Sequence, residues 1–326
     1  MRIAINGMGR IGRLLFRRLV SHPNLELVAV NDIMPTDNLA YLIRYDSVYG
    51  TYPDPVSVDG THLQVSGKRV AAFNVDHPSK LPWNDLGVDV VLECSGRFSS
   101  ESGAREHLKS GAKKVLLSTT GSAEIPLMIY GFNHSSINSG SNIVSPGGCM
   151  TNCSVHVIHL LNSIGIDSIQ LNILHSYTSR QELVDAPHPQ FIRGRAAAES
   201  IIPVEVDLAQ SLERVLPGMK NKIAAVSTRV PVANGAMADF TAQLKRPATK
   251  DEVNILFKKA AEGEFKGVVG YTEEPLVSLD YKGNTHSCVI DGHLTTIIGN
   301  QVKLIAWFDN EYGFTSRMID WLEYWK

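Results

Sequence analysis

Residues Ile5 to Arg13 read INGMGRIGR and set Gly7, Gly9 and Gly12 in a GxGxxG array. The array follows a short apolar run, RIAIN, that reads as a strand. It opens RIGRLLFRRLVSH, in which Ile11, Leu14, Leu15, Leu19 and Val20 share one helical face. In such a strand–turn–helix unit the first glycine suits the tight turn and the second lets a pyrophosphate approach the backbone. The third allows the helix to pack closely on the strand, and the helix N-terminus faces the anion. A second strand, LELVAVND, carries Asp32 at its end, 20 residues beyond Gly12. An acid there accepts a ribose 2′-hydroxyl and repels a 2′-phosphate, so NAD is expected over NADP.

Working outward, VDVVLECSG and KKVLLST read as two more strands, alternating with helical patterns as in a parallel sheet. The segment TNCSVHVIHLLNSI, residues 151–164, reads as a helix. Beyond it the texture changes. SIQLNILHSYT, KIAAVSTRV, MADFTAQLK, LVSLDY, SCVIDG and VKLIAWFD read as longer, often alternating strands. KDEVNILFKKAAEGEF and the tail TSRMIDWLEYWK read as helices. The expected fold is α/β: an N-terminal domain with a parallel sheet, then an α+β domain with a largely antiparallel sheet. Residues 179–203 show little periodicity, and a loop of that length inside a compact domain is usually functional.

Composition narrows the function classes. The chain of 326 residues is long enough for two domains, and 44 % apolar with 20 % charged residues is ordinary for a globular protein. A net charge of −2 without a long basic run gives no reason to expect nucleic acid as a partner. No apolar run approaches a membrane span, and the N-terminus lacks a signal-peptide pattern. Cys94, Cys149, Cys153 and Cys288 are too few for a disulfide scaffold and read as reduced thiols in a cytoplasmic protein. The CxxxC spacing of Cys149 and Cys153, without a second cysteine pair or clustered histidines, makes a poor zinc site, so no metal is expected.

The segment SPGGCMTNC places Cys149 just before the helix of residues 151–164. A thiol at a helix N-terminus feels the positive end of the dipole, and a lowered pKa is expected. Cys153, one turn further in, reads as a core thiol. His175 ends a strand-like run, where its side chain can face a cleft as partner base. Arg193, Arg195 and Arg229 have no neighbouring acid run. Arg195 in the long loop and Arg229 near a strand end are positions suited to an anionic substrate group.

Taken together, INGMGRIGR, LECSG, GAKKVLLS, CMTNC, HSYT, RAAAESIIP, RVP, LVSLDY and WFDNEYGF resemble the glyceraldehyde-3-phosphate dehydrogenase family over nearly the whole chain. The resemblance implies a Rossmann domain at 1–148, completed by a C-terminal helix at 310–326, and a catalytic domain at 149–309. It implies NAD, a phosphorylated sugar aldehyde as substrate and a homotetramer. The family's nucleophile falls on Cys149 and its base on His175. Cofactor contacts fall on Arg10, Ile11, Asp32, Ser95, Ser118 and Asn310, the last at the nicotinamide carboxamide. Substrate-phosphate contacts fall on Thr178 and Arg229, and a second anion contact on Arg195.

The chain departs from the family pattern around the nucleophile. Ser-Cys-Thr-Thr-Asn is replaced by Gly148-Cys149-Met150-Thr151-Asn152, and a Thr-Gly pair by Val206 and Asp207. These positions belong to the site that holds attacking phosphate, so weakened phosphate use is expected. Arg180 replaces a frequent acid and adds positive charge to the substrate-phosphate site. Two alternatives follow from these changes. One is hydrolysis of the thioester, as in the related erythrose-4-phosphate dehydrogenase. The other is a weakly active member with an NAD-binding or partner-binding role.

Overall fold

The computed structural model describes residues 1–138 and 140–325, and the chain divides into two compact units. Unit 1 comprises Met1–Gly148 with Arg317–Lys326, and unit 2 comprises Cys149–Ser316.

Unit 1 contains β1 (Arg2–Asn6), α1 (Arg10–Leu19), β2 (Glu26–Asn31), α2 (Thr36–Arg44), β3 (Val56–Asp59), β4 (His62–Val65) and β5 (Lys68–Phe73). It continues with β6 (Val90–Glu93), α3 (Glu101–Lys109), β7 (Lys114–Leu117) and β8 (Ile143–Val144). The strands form one sheet in the order β3-β4-β5-β2-β1-β6-β7-β8. The pairs from β5 to β8 are parallel, and β3 and β4 extend the edge as antiparallel ribbons. The central strands read as continuous apolar runs because both faces are covered: Ile3, Ala4, Ile5, Val90, Val91 and Leu92 are all buried. On one side of β1 the chain runs on to β2, and on the other it returns as β6. The crevice at the carboxyl ends of β1 and β6 is therefore the place where such a sheet binds a ligand.

Unit 2 opens with α4 (Cys149–Leu161) and β9 (Ile166–Ser176), followed by β10 (Ile202–Val204), α5 (Leu208–Val215), β11 (Ile223–Val230) and β12 (Ala236–Leu244). Then come α6 (Lys250–Glu262), β13 (Val269–Thr272), β14 (Cys288–Asp291), β15 (Thr296–Ile298) and β16 (Gln301–Phe308); α7 (Tyr312–Tyr324) starts in unit 2 and from Arg317 onward belongs to unit 1. The sheet order is β10-β11-β9-β12-β16-β14-β13, with β15 paired to β16. Only β9–β11 and β13–β14 are parallel. α4 packs against β12, β14, α5 and α6 and buries Val155, Val157, Ile158 and Leu161. Each of these side chains stabilises the unit by roughly 1.5–3 kcal/mol.

Two local expectations are corrected. LVSLDY does not form a strand: Ser278–Tyr281 is a 3-10 turn. The Asp280 carboxylate accepts the Val277 N–H at 2.8 Å and bends the chain, while Tyr281 stacks on Trp307 at 5.6 Å. The helix expected from 151 begins two residues earlier, so Cys149 is itself the first helical residue. In the long loop 179–203, Phe191–Gly194 forms a 3-10 turn.

Candidate active site

The turn after β1 has the geometry its glycines foretell. Gly7 has φ +93°, and a Cβ there would lie 2.3 Å from the Ser95 backbone nitrogen. A Cβ on Gly12 would meet the Gly7 carbonyl at 2.0 Å, so α1 is packed directly against the turn. Gly9 is the reverse case: nothing lies within 4 Å of its Cβ position, and no side chain caps α1. An uncapped helix start beneath open space fits a diphosphate. The Asp32 carboxylate is clamped beside the turn, with Oδ2 accepting the Met8 N–H at 2.5 Å and Oδ1 the Met34 N–H at 3.0 Å. Its remaining lone pairs suit a ribose hydroxyl. Arg10 is held by Asp46 at 2.5 Å, and Ile11 is half-buried on the first turn of α1. Ser95 and Ser118 follow β6 and β7 at the same carboxyl ends of the sheet. These residues fit NAD, which supplies a two-electron acceptor when bound.

In unit 2 the Cys149 Sγ lies 3.7 Å from His175 Nε2. His175 Nδ1 is 2.7 Å from the Ser176 carbonyl, which only accepts. The ring proton therefore sits on Nδ1, and the Nε2 lone pair faces the thiol. Burial, at 3 % exposure, and then the Arg229 cation push His175 down to about 3, so the ring is a neutral base at working pH. The expected lowering of the thiol pKa is not what the site shows. Burial pushes Cys149 up to about 11, against the pull of Arg229 and of the Met150 and Cys149 N–H groups at the start of α4. Cys149 remains half-buried and so accessible to a small aldehyde. Cys153 is fully buried beside Cys288, as a core thiol. Asn310 Oδ1 accepts the Gly235 N–H at 2.8 Å and the Ser176 hydroxyl at 3.3 Å, which leaves its NH2 as the group that can donate to a ligand.

Arg229 stands beside His175 because β11 and β9 run parallel with these two residues in register. It is 7 % exposed, and its Nε has no hydrogen-bond partner. Its guanidinium falls well below the ordinary arginine value, to about 10, chiefly through burial; the Cys149 thiol opposes this, and Arg193 and Arg180 add repulsion. The Thr178 hydroxyl accepts the Arg180 N–H at 3.3 Å, and the Thr178 N–H donates to the Gln181 side chain at 3.0 Å. Gln181 is itself buried with an unpartnered Nε2. Arg180, Arg193 and Arg229 thus repel one another across a site that an anion would neutralise.

Arg195 does not share that cluster. Its Nε donates to Asp185 at 3.0 Å in an exposed ion pair within the loop, and Asp185 also takes the Ala196 N–H. Arg195 was singled out by its place in the long loop and by the family resemblance; nothing local in the sequence separates it from Arg193, two positions earlier. Ser176, inside the quoted HSYT, and Gln181, three residues beyond Thr178, were given no role. Among the altered positions, a Cβ on Gly148 would meet nothing within 4 Å. Asp207 is exposed at the N-cap of α5 without a side-chain cap bond.

Comparison with known proteins identifies the family of the chain. A family model described as glyceraldehyde 3-phosphate dehydrogenase, NAD binding domain, matches residues 1–101. Another, for the C-terminal domain of the same family, matches residues 148–310. Glyceraldehyde-3-phosphate dehydrogenase 1 of Bacillus cereus is 41 % identical over 99 % of this chain and 98 % of its own length. The glyceraldehyde-3-phosphate dehydrogenase of Geobacillus stearothermophilus is 41 % identical over the same shares. That of Pseudomonas aeruginosa is 41 % identical over 98 % of this chain and 96 % of its own. With both family halves matched and relatives alike from end to end, the chain belongs to the glyceraldehyde-3-phosphate dehydrogenase family.

Proposed function

We propose that the chain catalyses NAD-dependent oxidation of glyceraldehyde 3-phosphate, with Cys149 as nucleophile and His175 as base. The observation that carries this reading is the 3.7 Å approach of Sγ to the unprotonated Nε2 of His175. As Sγ bonds to the aldehyde carbon, Nε2 takes the thiol proton and passes it to the carbonyl oxygen, which becomes the hydroxyl of a thiohemiacetal and leaves Nε2 free again. N–H groups at the start of α4 stabilise the charge that develops on that oxygen. His175 next accepts the hydroxyl proton, and the carbon's hydrogen would leave with its electron pair to the nicotinamide of bound NAD, so that an acyl thioester remains on Cys149. Inorganic phosphate then attacks the acyl carbon, and the Cys149 thiolate leaves.

Thr178, Arg180 and Arg229 hold the substrate phosphate. The attacking anion is assigned to Arg193 rather than Arg195, because Arg195 is paired with Asp185. The intact Cys149–His175 pair speaks against a catalytically idle member, and the names of the relatives speak against the hydrolytic erythrose 4-phosphate reading. The homotetramer is supported by apolar side chains left exposed in the 179–203 loop, namely Leu183, Val184, Phe191, Ile192 and Ile201, with Phe191 at 89 %. Among the described residues no helix is long and apolar enough to cross a membrane, and four unbridged cysteines suit the cytoplasm.

The test is NADH formation from glyceraldehyde 3-phosphate and from erythrose 4-phosphate, each with and without phosphate, for the native chain and for Cys149→Ser. Phosphate-stimulated NADH from the triose, lost in Cys149→Ser, is the expected result. Turnover equal in the absence of phosphate would refute phosphorolysis.

A further inference from the structure

Beneath the Gly7 turn lies a chain of buried polar groups that the thiol chemistry does not use. At its centre is Glu93, the last residue of β6, which is 1 % exposed. Its Oε1 accepts the Ser95 N–H at 2.8 Å and the Ser95 hydroxyl at 2.5 Å. Its Oε2 accepts the Asn6 side-chain amide at 2.6 Å and His107 Nε2 at 2.9 Å. The direction of the last bond is fixed from outside. Trp83 Nε1 lies 3.0 Å from His107 Nδ1, and an indole N–H only donates. His107 is therefore neutral, with its proton on Nε2 facing Glu93. On the far side, the Asn31 amide donates to Asn6 Oδ1 at 2.7 Å, which orients the Asn6 NH2 toward Glu93. Four donors converging on two oxygens is the coordination of a carboxylate, not of a carboxylic acid.

The groups so held are those of the ligand crevice. Asn6 ends β1 immediately before Gly7, and the Ser95 backbone is what a Cβ on Gly7 would strike. Ser95 commits both its N–H and its hydroxyl proton to Glu93, while its oxygen accepts the Arg97 N–H at 3.1 Å. The loop after β6 and the turn after β1 are thus tied to one anion below them.

We propose that Glu93 is a positioning residue of the dinucleotide site. Acting through Ser95 and Asn6, it holds these two loops in the shape that receives NAD, while His107 and Trp83 keep its charge and orientation. A glutamine at this position has the same outline but presents an NH2 to two of the four donors, either the Ser95 N–H and hydroxyl or the Asn6 amide and His107. His107 cannot relieve that clash by changing tautomer, because Nδ1–H would then face the Trp83 N–H.

The inference rests on NAD use, and its test separates the two. In Glu93→Gln the KM for NAD is expected to rise at least tenfold, with kcat at saturating NAD within about twofold of native. Ser95→Ala removes one arm on the loop and raises the KM for NAD in the same sense but less. The double variant is no worse than Glu93→Gln, because both changes act through one contact. Melting of each variant without NAD reports folding separately. An unchanged KM for NAD in Glu93→Gln, or additive effects in the double variant, overturns the proposal. So does a kcat that falls together with the melting temperature while KM holds. If Glu93→Gln does not fold, Ser95→Ala decides alone, an unchanged KM for NAD overturning it. Absence of NADH formation in the native chain would instead refute the assigned activity.

Discussion

Replacing Arg229 by methionine should make the apo protein more stable and its phosphate recognition worse. The guanidinium is buried beside His175, its Nε lacks a partner, and Arg193 and Arg180 repel it. A fall from the ordinary arginine value to about 10 corresponds to about 3 kcal/mol of unfavourable burial of the charge. At pH 7 both the folded and the unfolded chain carry that charge, so the full penalty is present. It is relieved only as pH rises above about 10 toward the ordinary arginine value, where the folded protein sheds its proton first. Methionine fills much of the space without charge, so urea unfolding at pH 7 should show a gain approaching 3 kcal/mol. The same variant loses charge-assisted hydrogen bonds to the substrate phosphate, worth about 1.5–3 kcal/mol. The ratio of kcat/KM for glyceraldehyde 3-phosphate to that for unphosphorylated glyceraldehyde should then fall roughly 10–150-fold. The ratio is the proper measure, because Arg229 also favours the Cys149 thiolate and its loss slows both aldehydes. Inorganic phosphate should raise the melting temperature of the native protein more than that of the variant. A variant less stable than native by more than about 1 kcal/mol would mean that the arginine is satisfied in the apo fold. An equal loss for the two aldehydes would remove Arg229 from phosphate recognition.

With the thiol near 11, iodoacetamide alkylation of Cys149 in the apo protein should rise about tenfold per pH unit between pH 8 and 10; a plateau below pH 8 would reveal a thiolate–imidazolium pair instead. His175→Asn should lower turnover by roughly 10²–10⁴, and turnover within tenfold of native would remove it as the base. Asp32→Ala should narrow the preference for NAD over NADP, measured as a ratio of kcat/KM values; a native enzyme that uses both cofactors equally would contradict the role given to Asp32. Gly148→Ser with Met150→Thr should lower the phosphate concentration needed for half-maximal stimulation, since a side chain at 148 meets no atom; if the native protein already saturates at the variant's concentration, the missing hydroxyls are dispensable.

Much of the dinucleotide half was legible because its signals are local. GxGxxG, the strand before it and the helix after it lie within twenty residues, and each glycine answers to a steric demand of its own turn. The helix after Cys149 and the alternating strands β9, β12 and β16 were legible for the same reason, since periodicity reports which face is buried. The remainder depended on pairings between distant segments. Cys149 and His175 are 26 residues apart, and Arg229 reaches His175 only through the parallel register of β11 on β9. Arg193 and Arg195 have the same chemistry two positions apart, and the path of the loop alone gives Asp185 to one and leaves the other beside Arg180. The thiol reading failed on the same ground. A helix start is visible in a sequence, whereas the burial that outweighs its dipole is a property of everything packed around it. Glu93 sits in a run of buried strand residues with nothing to mark it; its four donors come from the end of β1, the loop after β6 and the face of α3, and meet only when the sheet closes around them.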